Sequence, residues 1–498
     1  MTKRRLALVG AGMATCRLLD ELLARDALAR FDISVFAEEP GGIYNRILLA
    51  RVVAGEAPEA IRTKPLSWFE ERGVTLHDGV PVTRLDTTRK LVVTADGAGH
   101  RYDLAVLATG SQPQVPAIPG ATIEGGALRP GVLVYRTMND GLALREAARR
   151  GSSAIVLGGG LLGIEAAKAL SDAGLHVTIV HAPQTLMNAQ LDPLAGEMLA
   201  RQIEMSGIFV RLGRTIETIN GHGDGEAGPS PEDEAGASSG AGPVDNVTLD
   251  DGKTLPCDLV VLACGVRPRV DVGRASGLPI NRGIVVNDAL ATEVPGVYAL
   301  GDCAEHRGNN TGLVAPAWEQ AAVLADVLTA AAPQARYRGS KLYTRLKVAG
   351  LDVATMGTLS AELETDDVIE VVEQRRSAYR KLVVRDGRLV SATLVGNTRA
   401  AATLVQIFDR GDLMPADPLE ALCLQAVVAR TAPGDRTVCA CNRVSEAAVC
   451  QSIDEGCDSV EAIAAATRAG TGCGSCKNEL ARLLARPGKK PTPLAAVG

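Results

Sequence analysis

Four cysteines near the C-terminus are the side chains best suited to chemistry. Cys439-Ala440-Cys441 is followed, after 31 intervening residues, by Cys473-Gly474-Ser475-Cys476. Two close pairs of thiolates suit a [2Fe–2S] cluster or a structural zinc, since both metals accept four cysteines. Gly470, Gly472 and Gly474 supply a flexible loop whose backbone N–H groups can point at cluster sulfurs. The chain has 11 cysteines, and the scattered ones, Cys16, Cys257, Cys264, Cys303 and Cys423, read as small buried apolar residues. Cys450 and Cys457, between the two pairs, read the same way.

Two glycine-rich turns form the second chemical signal. Gly158-Gly159-Gly160-Leu161-Leu162-Gly163 follows an apolar run and opens a helical one. Gly158 permits the tight turn, Gly160 lets backbone approach a pyrophosphate, and Gly163 allows close helix–strand contact. The helix start then offers unpaired N–H groups and a positive dipole end to phosphate. Gly10 and Gly12 repeat the pattern, but Thr15 stands where a third glycine is expected, which puts the closeness of helix packing in question. Glu38, after the next strand, is placed to accept hydrogen bonds from a ribose. The corresponding position of the second turn is His181, followed by Ala182-Pro183-Gln184. With neither an acid nor a nearby cation there, NADH is favoured over NADPH.

The elements that hold these residues follow from apolar runs. Leu6–Val9 and Ile33–Phe36 read as strands of one dinucleotide fold, Ala154–Leu157 and Val177–Val180 as strands of a second. Val297–Leu300 is a late strand that completes the first fold, before a helix beginning near Pro316. Residues 221–243, rich in Gly, Ser, Pro and acids, read as a disordered insertion lengthening a hairpin. Beyond Tyr343, five strand patterns, two of them joined by an Asp386-Gly387 turn, predict a small α+β domain. Ser445–Glu455 and Ser459–Thr467 are short helical patterns between the cysteine pairs.

Two Rossmann-like α/β domains therefore precede a small α+β domain and a small helical metal module. The expected boundaries are 1–145 with 290–335 for the first fold and 146–289 for the second. Then come 340–413 for the α+β domain, a linker at 414–436, the module at 437–485 and a tail at 486–498. A net charge of −6 and 3% aromatic residues exclude a basic, stacking nucleic-acid binder. No apolar run reaches the length of a membrane span. The apolar stretch near Met1 is broken by Gly10 and Gly12, so a cytoplasmic protein is expected.

The order of signals is first glycine turn, Ala108-Thr109-Gly110, second glycine turn, then Gly301-Asp302. It resembles the flavoprotein reductases with two dinucleotide folds. The resemblance implies FAD in the first fold, a crossover at Thr109 and Gly110, and Asp302 hydrogen-bonded to flavin side-chain hydroxyls. It also implies a role near the nicotinamide for Glu165, paired with Arg51, and a helix near Pro316 aimed at the flavin ring. Many such reductases carry a redox disulfide, yet residues 41–49 hold no cysteine. Electrons need another exit, and a flavin that takes two needs a one-electron outlet. That need favours iron–sulfur over zinc, which has no redox chemistry.

The C-terminal spacing resembles bacterioferritin-associated ferredoxin. Tyr44-Asn45-Arg46-Ile47-Leu48-Leu49, Trp318-Glu319-Gln320-Ala321 and Lys347-Val348-Ala349-Gly350-Leu351-Asp352-Val353 resemble the NAD(P)H-dependent assimilatory nitrite and nitrate reductase flavoproteins. This resemblance places Asn45 and Arg46 among the cofactor-binding residues. Nitrite reductases of the family continue into a sirohaem domain, so the expected role is an electron-transfer subunit. Its expected partner is a separate molybdenum-containing nitrate reductase subunit or another acceptor protein.

Overall fold

The computed structural model describes residues 3–222, 242–348, 350–359, 363–422, 437–439, 442, 444–470 and 476–485. Cys441 and Cys473, most of the 221–243 insertion and of the 414–436 linker, and the 486–498 tail lie outside the described residues.

The first sheet is parallel and buried on both faces, so its strands are continuous apolar runs. Its order is Val297–Ala299, Leu104–Leu107, Arg4–Val9, Phe31–Ala37, Thr75–Asp78. The late strand thus completes the first fold, as the order of signals predicts. Helices Met13–Leu23 and Val314–Thr329 pack over it on Leu8, Leu18, Val35 and Leu324. The second of these helices begins at Val314, two residues ahead of the predicted Pro316.

The second sheet repeats the plan with order Val132–Val134, Leu259–Leu262, Ser153–Leu157, His176–His181, Phe209–Leu212, again all parallel. Helix Leu161–Asp172 follows its glycine turn. Ile216–Gly221 pairs antiparallel with Val244–Leu249, which is the expected hairpin around the insertion.

A five-stranded antiparallel sheet spans 343–395. Asp386 and Gly387, with φ of 51° and 69°, make its tightest hairpin, the left-handed pair such a turn requires. Its faces alternate with the strand period. Leu346, Val353 and Tyr379 join the core of the second fold, while Ala354, Met356 and Leu382 pack on helix Ala401–Arg410.

The cysteine module contains helices Glu446–Asp454 and Val460–Thr467, where the sequence pattern places them. Ser445 and Ser459 cap them by accepting from Ala448 N and Ala462 N. A third helix, Lys477–Leu484, follows Cys476. Among the described residues no helix is long and apolar enough to cross a membrane.

Candidate active site

The two glycine turns have the same geometry and divide their work by position. Gly10 and Gly158 have φ of 103° and 121°, and a Cβ on either would lie 2.3 Å from a carbonyl oxygen, of Ala108 and Ala263 respectively. Only glycine fits there. Gly12 and Gly160 precede the two helices and have nothing within 4 Å of where a Cβ would stand. That open ground before a helix N-terminus fits a pyrophosphate in each fold. Gly163 lies against its own turn, since its Cβ would meet Gly158 O at 1.9 Å.

Thr15, where the first motif lacks its glycine, is wholly buried, and its Oγ1 donates to Gly10 O at 2.6 Å. A hydrogen bond replaces the close backbone contact, which answers the packing question raised by the sequence.

Around the first turn the structure gathers residues from distant segments. Glu38 directly follows strand Phe31–Ala37 beside the turn and is held by Arg269, whose Nη2 donates to Oε1 at 2.9 Å. Arg269 in turn ties down the crossover: its carbonyl accepts from Thr109 Oγ1 at 2.6 Å, and its N–H donates to Gly110 O at 2.9 Å. Asp302 accepts from Ser111 Oγ at 2.7 Å and Arg136 Nη2 at 2.8 Å. The adjoining Gly301 sits against Ala14 in the first turn of helix Met13–Leu23, so Asp302 flanks the pyrophosphate ground.

Asn45 is buried and accepts from Ile47 N at 3.1 Å, capping a short turn. Arg46 donates to Glu39 Oε1 at 2.6 Å; the other oxygen of Glu39 accepts from Tyr44 OH and Met138 N. Arg269, Arg136 and Ser111 escape the sequence reading because their partners lie far along the chain, and Glu39 because its link to Met138 spans 99 residues although Tyr44 and Arg46 are near. Only the adjacency of Glu39 to Glu38 hints at one of them.

In the second fold His181 does something the sequence did not reveal. Its Nδ1 accepts from Gly159 N at 3.0 Å, and burial pushes its pKa down, so a neutral ring pins the glycine turn. The cation missing from the local sequence arrives just beyond the neighbouring strand, Phe209–Leu212. Arg214 N donates to His181 O, and the Arg214 guanidinium is 3.2 Å from Asp251.

Glu165 lies in the second-fold helix, and burial alone pushes its carboxyl up to about 7. It is close enough to help raise the buried Tyr135 hydroxyl. The Arg51–Glu165 pair expected by resemblance does not form. The Arg51 side chain is 51% exposed and bonds to Glu56, five residues along, at 2.5 Å. A local partner needs no ordering of a distant one and is favoured at an exposed site.

Cys439 and Cys476 are 3% and 6% exposed and share one small core with Val449, Ile463 and Leu480. One cysteine from each pair thus meets in the same apolar enclosure, which suits thiolate ligands of a cluster. Cys441 and Cys473 lie outside the described residues.

Two phosphate-ready turns, a crossover and a strand-end aspartate define a reductase of the class that holds FAD and a nicotinamide nucleotide in separate folds. The chain belongs to the pyridine nucleotide-disulphide oxidoreductase family, which matches residues 4–321. Residues 343–411 match the rubredoxin NAD+ reductase C-terminal domain, and 437–486 the BFD-like [2Fe-2S] binding domain. It is 37% identical to a nitrite reductase [NAD(P)H] of Bacillus subtilis, with 96% of this chain and 57% of the relative covered. An assimilatory nitrate reductase electron transfer subunit from the same organism is 33% identical, with coverages of 96% and 59%. The chain therefore spans less than two thirds of these relatives. The fold matches putidaredoxin reductase in its complex with putidaredoxin at a TM-score of 0.72 and 20% identity, covering 84% and 96% of the two chains. This is an oxidoreductase using FAD and NAD(P)H, with a [2Fe–2S] domain attached.

Proposed function

We propose that this protein takes electrons from NADH onto FAD and passes them singly through a [2Fe–2S] cluster on Cys439, Cys441, Cys473 and Cys476 to a separate reductase protein. The carrying observation is that two phosphate-ready turns share one chain with a cysteine module, while residues 41–49 beside the first fold hold no cysteine. Bound flavin supplies the exchange between a two-electron donor and a one-electron acceptor. The chain's own residues bind and orient. Gly12, Glu38 and Asp302 hold the first nucleotide, with Asn45, Arg46, Thr109 and Gly110 shaping its pocket. Gly158, Gly160 and Gly163 seat the second, and Glu165 stands near the nicotinamide. Each hydride brings two electrons, which leave in two successive single transfers, with the remaining proton released to solvent.

The favoured acceptor is a molybdenum-containing nitrate reductase catalytic subunit, a reading supported by the similarity to an assimilatory nitrate reductase electron transfer subunit. A second reading, delivery to nitrite reduction, is supported by the 37% identity to a nitrite reductase. NADH is preferred because neither an acid nor a cation follows strand His176–His181 in the local sequence, and the Arg214 guanidinium near its end is engaged by Asp251.

Anaerobic titration with NADH, followed by visible absorption and EPR, tests the path. Flavin bleaching with a rhombic S = 1/2 signal at low temperature is expected. Bleaching with zinc instead of iron in an oxygen-protected preparation overturns the single-electron outlet.

A further inference from the structure

We infer that helix Met13–Leu23 of the flavin fold is a dock for the cysteine module and that Arg468 is the residue that positions the module on it. The inference rests on the NADH–FAD–cluster reading and adds where the module must sit for electrons to reach it.

Among the described residues, polar contacts fasten the module at points close in sequence to the ligand cysteines. Arg468, five residues before Cys473, donates from Nη2 to Asp20 Oδ2 at 3.0 Å. Asn442, next to Cys441, accepts at 2.8 Å from Arg17 Nη1. Thr437, two residues before Cys439, accepts through its carbonyl from Gln406 Nε2 at 2.6 Å. Asn442 also donates to Arg468 O at 2.6 Å, so the two cysteine loops are joined at the contact itself.

The receiving helix is organised for this. Asp20 holds Arg468 on one side and the buried Lys64 on the other. Arg17 is 2.7 Å from Glu21 and lies over the ring of Trp318, 5.8 Å from its centroid. Trp318 Nε1 donates to Met13 O at 3.3 Å, in the first turn of the same helix. The module is therefore seated on the helix whose start faces the flavin pyrophosphate.

Arg468 carries a second mark of selection for its side chain. It ends helix Val460–Thr467 with φ of 67°, a left-handed position where glycine is usual and a side chain is disfavoured. An arginine kept there against its backbone preference points to a use for the guanidinium. The Arg468 and Asp20 side chains are 37% and 27% exposed, so the contact is weak and screened by salt. A weak, charge-based clamp allows the module to dock for electron uptake and to leave for delivery.

The test uses the full protein loaded with FAD and iron–sulfur, in the parent, Arg468→Gly and Arg468→Lys. Arg468→Gly relaxes the backbone while deleting the clamp, so the module folds and holds its iron. NADH bleaching of the flavin is expected to stay within about twofold of the parent. Cluster reduction is expected to slow about threefold to fivefold and to lose much of its salt dependence. Arg468→Lys is expected to restore most of the rate. In that variant, with Lys64, the other partner of Asp20, changed by Lys64→Arg so that no competing amine remains, a carbodiimide should also join the ammonium at position 468 to the Asp20 carboxylate, detected by peptide mapping without any turnover. Parent-like cluster reduction in Arg468→Gly together with no cross-link in Arg468→Lys overturns the dock. Absence of flavin bleaching in the parent would instead overturn the proposed function, and the cross-link would still decide the dock.

Discussion

Glu165 is raised to about 7 by burial, with no cation beside it to pull the value back. The native protein therefore binds this proton more tightly than the unfolded chain, whose carboxyl titrates near 4.5. Stability contributed by the protonated form is full below that lower value and is lost as pH climbs to about 7. Glu165→Gln removes the titration. Its urea midpoint should match the parent near pH 4 and exceed it at pH 8. A parent and variant that fall together between those values would show that Glu165 is solvated. If the carboxyl also serves the nicotinamide, the variant retains FAD and loses NADH-driven bleaching. Arg51 teaches the opposite lesson about reading pairs from resemblance. Its role by family analogy needed Glu165, but Glu56 lies a few residues away and takes the guanidinium.

At the scale of the element, the strand–turn–helix unit was legible because each of its parts has a local cause. Apolar runs such as Leu104–Leu107 and Leu259–Leu262 are buried on both faces and need no partner to be recognised. Gly10 and Gly158 announce a left-handed turn by their type alone. What was not legible depends on contacts across the chain. Arg136 reaches Asp302 and Arg269 reaches Glu38 only after two folds have assembled. Thr15 is intermediate: the missing glycine was visible, but the hydroxyl bond that substitutes for it was not.

The turn makes a paired prediction. Gly160→Ala adds a methyl group where nothing lies within 4 Å, so it should fold normally yet weaken nicotinamide binding by crowding the phosphate. Gly163→Ala forces a contact of 1.9 Å with Gly158 O and should cost about 1–3 kcal/mol of stability. Thermal melts beside NADH titrations separate the two. Equal melting losses would mean that the open ground before the helix is not open.

For the whole molecule, stability is divided unequally. The first fold, the second fold and the small sheet have broad apolar cores, and the second shares its core with Leu346, Val353 and Tyr379 of the sheet. The cysteine module has a core so small that Cys439 and Cys476 are part of it. A domain of that size rarely folds on apolar burial alone and leans on its metal. The polar contacts to the rest of the chain among the described residues cannot replace that metal, since a hydrogen bond or a partly exposed ion pair contributes only about 1 kcal/mol. Removing the iron with a chelator under reducing conditions should therefore abolish a separate low-temperature transition in calorimetry. The main transition and the FAD content should be unchanged. It should also erase the Asp20 cross-link in Arg468→Lys, because an unfolded module cannot present its arginine position to the dock. A low-temperature transition that survives chelation would mean that the module folds without metal and that its cysteines are ligands without being structural supports.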